Sequence, residues 1–195
     1  DPRSETRLNA NLIKNRIELS QPVGNPVNTR FVNEGLLLSQ DLAGVTITGG
    51  LVQGENDGET GYSAFVKDKN LFSGDVGFNN FGGRSTGSNQ FTASVNVNNG
   101  LGYGEQLTTN ALRSQGTAFG KIGFSLPLYE TGLKLSSNVT MTQYKVMAPE
   151  LKFGDFTGTS SSVGFELSQP VFRTDGFNLV TSTGLDSKNF INKSS

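Results

Sequence analysis

From Leu71 onward the chain alternates. One parity is apolar or small and the other polar, in seven segments: Phe72-Gly74-Val76-Phe78, Phe91-Ala93-Val95-Val97, Leu107-Thr109-Ala111, Ala118-Gly120-Ile122-Phe124-Leu126, Leu133-Leu135-Ser137-Val139-Met141, Ser161-Val163-Phe165-Leu167 and Phe177-Leu179-Thr181-Thr183-Leu185. A period of two is that of strands whose faces meet different surroundings. The connections "GGRSTGS", "NNGLGYG", "RSQG" and "LYETG" are short or glycine-rich, and only "YKVMAPELKFGDFTGTSS" is long. The pattern predicts an up-and-down meander of antiparallel strands.

Residues 7 to 70 read differently. Leu12, Ile13 and Ile17 in "LIKNRIEL" have helical spacing, and the prolines of "SQPVGNPVN" end that helix. Asn28 is placed to cap a second helix, "TRFVNEGLLLSQDLAG", with Phe31, Gly35, Leu38 and Leu42 on one stripe and Gly44 as a left-handed C-terminal residue. "VTITGGLVQ" and "YSAFVKDK" then alternate around the turn-rich "GENDGETG" and predict a hairpin. The expected order is helix, helix, strand, strand: a small α+β module.

Alternation alone fits two architectures. In a soluble sandwich the apolar face packs inward; in an outer-membrane barrel it meets lipid and the polar face lines a wet lumen. Two features favour the barrel. The apolar faces carry many small residues and Thr, which lipid tolerates better than a packed core does. Segments of about 9 to 11 residues also match a tilted transmembrane strand. A single-chain bacterial barrel has an even strand number of at least eight, so seven strands predict that this sequence is part of a longer protein.

Composition narrows the chemistry. Among 195 residues there is no cysteine and no histidine, which removes disulfides, thiol nucleophiles, imidazole bases and the usual zinc ligands. No cofactor or metal is expected. Sixteen basic and seventeen acidic residues give a net charge of -1, without the basic excess that nucleic acid attracts. No apolar run is long enough for a transmembrane helix. The opening "DPRSETR" has neither an initiating Met nor a signal sequence and predicts a processed or trimmed start.

The remaining motifs favour bland readings. "GLGYGE" sits between two strands with no helix behind it, so it predicts a hairpin turn and not a phosphate loop. The sequons at Asn138 and Asn192 fall in strands of an expected bacterial protein and are read as chance matches. Asp75 and Glu105 are the one carboxylate pair considered for acid/base work, on the expectation that they sit on neighbouring strands; a solvated face explains both, and no enzymatic activity is expected. Asp75, Asn79, Lys121, Lys134, Asn138 and Lys188 all lie on the polar parity and are the candidate lumen-facing residues. In the module, helix 29–42 and strand 45–53 are expected to form a groove that takes an extended segment by β-augmentation, with Thr46 and Thr48 as the contact candidates.

Between residues 24 and 107 the chain resembles the outer-membrane transporters of two-partner secretion, the hemolysin activator and filamentous-hemagglutinin transporter family. Leu36 to Val45 match that family's Leu-rich helix end and Asp-Leu-Pro-Gly-Val turn, with Ala43 in place of proline. Gly74 to Gly82 match its first barrel strand, with Asn79 where aspartate is usual and Phe81 where tyrosine is usual. Asn99 to Gln106 match its Asn-Pro-Leu-Gly-x-Gly-Asp hairpin, with Gly100 for proline and Glu105 for aspartate. The family's Val-Arg-Gly-Phe/Tyr lid motif and terminal aromatic strand are absent from this sequence.

The resemblance implies a partial POTRA domain over residues 1–70 and the first strands of an outer-membrane β-barrel over 71–195. It also implies a Gram-negative-type host with the module in the periplasm, lipid around the strands, and an unfolded secreted protein as partner. Two other expectations accompany it: an outer-membrane assembly factor of the wider POTRA-barrel superfamily, and a soluble β-rich adhesin or binding module.

Overall fold

A computed structural model describes residues 6–54, 56–147 and 156–194. Two helices come first, α1 (Ala10–Ser20) and α2 (Thr29–Gln40), followed by the paired strands β1 (Val45–Gln53) and β2 (Thr60–Asp68). Seven further strands form one antiparallel sheet in chain order: β3 (Phe72–Asn79), β4 (Gln90–Asn98), β5 (Gln106–Arg113), β6 (Thr117–Pro127), β7 (Lys134–Lys145), β8 (Phe156–Arg173) and β9 (Asn178–Ser194). The expected meander is therefore present, with the same seven alternating segments as its strands. The last two are much longer than the predicted span, at 18 and 17 residues. Part of the long connection expected after Tyr144 belongs to β8, and residues 148–155 lie outside the described residues, as does most of the opening "DPRSETR".

The helices start as their caps dictate. The side chains of Asn9 and Asn28 accept hydrogen bonds from the backbone N–H of Asn11 and Arg30, satisfying donors that a helix start leaves orphaned. On α2 the buried residues are Val32, Gly35, Leu38 and Ser39, while Phe31 is exposed. Of the predicted stripe, Gly35, Leu38 and Leu42 are buried, and only Phe31 gives way, to Val32. α1 packs directly on Gly35, where a Cβ would fall 2.8 Å from the Cα of Ile17. Gly44 does adopt a positive φ of 73°, but four residues past the end of α2, whose C-cap is Asp41. Its role is a close backbone approach described below.

The module's core joins Leu8, Ile13, Leu42, Val45 and Ile47, with Leu12, Ile17, Leu36, Ala64 and Val66 against it. Val45 and Ile47 point into this core, which leaves Thr46 and Thr48 exposed on the other face of β1.

The large sheet has no such core. Along β7 Val139, Met141, Gln143 and Lys145, of the apolar parity, are exposed, whereas Ser136, Asn138, Thr140, Thr142 and Tyr144 are half-buried. β8 repeats this, with Val163, Phe165 and Leu167 exposed and Gly158, Gly164 and Ser168 buried on the polar face. A soluble sandwich buries the opposite face, so the burial decides what alternation leaves open.

Gly35→Val should force α1 and α2 apart. Overpacking of this kind typically costs about 1–3 kcal/mol, and amide hydrogen exchange in both helices is expected to accelerate by roughly 5 to 100-fold, with exchange in β3 to β9 unchanged.

Candidate functional site

Cross-strand partners share a face, so the sheet register assigns each polar residue a row. Asp75 pairs with Ser94, Ser94 with Asn110, Asn110 with Lys121, Lys121 with Thr140, Thr140 with Ser162 and Ser162 with Lys188. Three of the candidate lumen residues, dispersed over more than a hundred positions in sequence, therefore fall on one polar row across all seven strands. The next row joins Ser73, Asn96, Thr108, Gly123, Asn138, Gly164 and Asp186. Lys134 lies on the same face nearer the module, paired with Pro127 and Ser168. Asn79 sits at the opposite end, where its side chain accepts from the N–H of Phe81 and shapes the following turn.

Polar contacts fill this face. The Ser94 hydroxyl donates to the Asp75 carboxylate, and Tyr144 donates to Asn192 at 3.0 Å across Gly158. A side chain at Gly158 would collide with the Tyr144 ring, and one at Gly164 with Asp186 and Asn138. Glycine between two longer polar residues keeps the face continuous, a role that strand propensity does not reveal.

Asp75 and Glu105 do not sit on neighbouring strands. β4 separates β3 from β5, and Glu105 is buried at the opposite end of the sheet from Asn79, where its carboxylate accepts from the N–H groups of Leu101 at 2.6 Å and Tyr103 at 3.1 Å. It is a turn-former, occupied by the backbone around it.

That turn, residues 99–105, is the joint between module and sheet. Asn99 is fully buried in the left-handed region at φ 53°. Its side chain accepts from Gly104 N–H at 2.8 Å, and its own N–H donates to the Glu105 carbonyl. Outward, Asn9 N–H donates to the Gly102 carbonyl and Ala43 N–H to the Gly104 carbonyl. Leu42 packs on Gly104, and a Cβ on Gly44 would lie 2.7 Å from that of Asn99. Arg7 adds an ion pair to Asp68, at 3.4 Å. The sequence matched this turn to a family motif but gave it no task as a joint; the signal was its glycine cluster, in which Gly102 abuts Arg7 and Gly104 abuts Leu42.

Two more turns on this side meet the helices. Asn15 donates to Glu130 at 3.2 Å in the turn after β6, and Asn33 to Asp175 at 2.9 Å in the turn after β8. Arg173, at the end of β8, grips Asp41 at the end of α2 through two nitrogens at 2.8 and 3.0 Å. A bidentate pair of this kind fixes orientation as well as distance. Glu130 is held below the usual carboxylate range by hydrogen bonding to its own backbone and then to Asn15, so its contribution is present above that range and lost as the pH falls through it. Buried Arg16 donates to the Leu38 carbonyl between the helices, and burial lowers its pKa.

The module's concavity is not where the sequence placed it. α2 lies over β1, and the open groove, of about 510 Å³, runs along α1 and β2 past Ile13, Ile17, Leu51, Tyr62, Ala64 and Val66. Burial pushes the Tyr62 phenol up. Among the described residues no third strand pairs with either β1 or β2. No group of ligating side chains able to hold a metal occurs among the described residues.

A two-helix, two-strand module locked onto the turn end of a sheet that is apolar outside and polar inside is the architecture of the POTRA-barrel proteins of outer membranes. The chain belongs to the haemolysin secretion/activation protein ShlB/FhaC/HecB family, whose model matches residues 64–194. It is therefore an outer-membrane protein of the Gram-negative type, with its module on the periplasmic side.

The match begins within β2, and likeness to solved structures extends over the helices. CdiB from Escherichia coli superposes with a TM-score of 0.75 at 20% identity over 93% of this chain and 35% of its own. CdiB from Acinetobacter baumannii gives 0.66 at 17% identity, over 98% of this chain and 37% of that one. BamA from Haemophilus ducreyi lacking POTRA domains 1-3 gives 0.64 at 18% identity, over 95% and 34%. The chain thus spans about a third of the length of these structures. No curated protein sequence matches it.

Glu105→Ala should leave the part-buried N–H groups of Leu101 and Tyr103 without their carboxylate acceptor, at about 1–3 kcal/mol. Their hydrogen exchange is expected to accelerate by roughly 5 to 100-fold, and Glu105→Gln, which keeps an acceptor oxygen, should recover much of the protection.

Proposed function

We propose that residues up to 70 form the client-receiving module, and residues from 71 the first wall strands, of a transporter that moves an unfolded secreted protein across the outer membrane. The observation that carries this reading is the inverted sheet, apolar where exposed and polar where sheltered, fastened at one end to a module whose strands have outer edges unpaired among the described residues. A polypeptide captured in extended form gains backbone hydrogen bonds from a strand edge with little demand on its sequence. Thr46 and Thr48 on the exposed face of β1 are proposed contacts on that route, and the α1–β2 groove offers apolar shelter for alternate side chains.

Beyond the module the client would meet the polar face. Asp75, Lys121, Lys134 and Lys188 supply both signs of charge there, and Asn79 and Asn138 add neutral polar groups. Water and mixed charge offer an extended chain weak, replaceable contacts and no deep binding site, which suits passage. The work is passive and uses no nucleotide, metal or catalytic group. Membership of a secretion family favours this reading over an assembly factor, and the exposed apolar face disfavours a soluble adhesin.

The full-length protein, co-expressed with its partner, should release that partner into the medium. Deleting the module should cut release by more than tenfold while ion conductance in planar bilayers persists; unchanged release without the module would overturn the proposal. Single cysteines at Val95 and Asn96 test the wall itself. In membranes a water-soluble maleimide should label Asn96→Cys at least tenfold faster than Val95→Cys, because the two neighbours occupy opposite faces.

A further inference from the structure

The apolar face of the large sheet carries almost no charge. Among the described residues of β3 to β9, those on this face include no Asp or Glu, and its charged side chains are Arg113, Lys145 and Lys193. All three lie at the end remote from the module. Arg113 shares a row with Ala118 and Gln143; Lys145 lies one rung beyond Gln143 and shares its row with Thr157 and Lys193. Lys145 and Lys193 are two strand spacings apart, roughly 10 Å. All three are exposed and border one hollow of about 470 Å³, lined also by Gln143, Thr157 and Thr159 and floored by the small Gly116 and Ala118.

Depth in the membrane follows from the strands. β7 runs 12 residues from Lys134 at the module end to Lys145. That is about 40 Å of strand and close to 30 Å along the normal at a tilt of about 45°, the thickness of the hydrocarbon layer. With the module in the periplasm, the three cations stand where the outer leaflet's headgroups begin. Directly below them the same face presents Ile122, Val139, Met141 and Val163, all exposed, as a bed for acyl chains.

We propose that this rim binds the phosphorylated sugar headgroup of an outer-leaflet glycolipid. Arg113 and Lys193 hold the phosphates, Gln143, Thr157 and Thr159 offer hydrogen bonds to sugar hydroxyls, and the floor of small residues makes room for the rings. Arg113 provides a planar fork for a phosphate, while Lys193 acts as a point charge. A polypeptide client fits this site poorly, because the three side chains point away from the polar row and open onto the lipid-facing surface. The inference rests on the outer-membrane placement of the sheet and is independent of what the protein transports.

The test uses the full-length protein in detergent micelles, titrated with lipid A and with its dephosphorylated form and followed by native mass spectrometry. The phosphorylated form should bind tighter by on the order of a hundredfold. In the triple variant Arg113→Gln, Lys145→Gln and Lys193→Gln that preference should vanish. Equal binding of the two lipids by the unmodified protein would overturn the proposal, whether or not the variant folds. So would a preference that survives in a folded triple variant, equally tight binding of phosphatidylglycerol, or displacement of the lipid by millimolar inorganic phosphate, which would mark a simple anion site.

Discussion

Backbone hydrogen bonding in hydrocarbon is the constraint from which the rest of this structure follows. No water is present there to satisfy an amide, so each strand pairs with its neighbours along its length while its side chains divide between lipid and lumen. The antiparallel register meets that demand for β4 to β8, while among the described residues β3 and β9 pair on one side only; the single irregularity lies at Pro170–Phe172 near the module end. A proline has no N–H to give, and a bulge is where a sheet tolerates one. The inverted burial of β7 and β8 is the same constraint seen from the side chains.

A sheet so fixed needs a rigid attachment for a module that does its work in water. The 99–105 turn provides it by pairing buried polar groups: a carboxylate held by two N–H groups, the Asn99 amide oxygen by a third, and carbonyls of the turn held by Asn9 and Ala43, with the Asn99 amide nitrogen left unpaired. Burial of a charge is tolerated only with such pairing. The Arg173–Asp41 grip and the contacts at Glu130 and Asp175 lie more exposed and contribute less each, yet they spread the attachment over three turns. The module's position at the turn end of the sheet is then a property of the fold.

The distribution of charge along the strands has a similar economy. Asp75, Lys121 and Lys188 share the polar face, where water solvates both signs, while the opposite face keeps its three cations for one end of the strands. The division separates two environments that sequence position interleaves residue by residue.

Much of this was legible in the sequence. The seven alternating segments, the two helices with their Asn caps, the hairpin that follows them and the family motif at 99–106 all arise from local rules of period, capping and turn chemistry, which act over a few residues. Other features were not legible. Val32 and not Phe31 joins the buried stripe of α2; the groove fell to β2 because α2 covers β1; Glu105 became a buried turn-former and not Asp75's neighbour; and β8 and β9 outran their apolar pattern because they pair with each other along their whole length. Each of these depends on which surfaces meet, and the period of a strand is the same whether its greasy face is turned towards a core or a membrane. The elements and their two faces follow from the local order of residues; which face is sheltered and how the module is held follow from burial and long-range hydrogen bonds, which are set by neighbours distant in the chain.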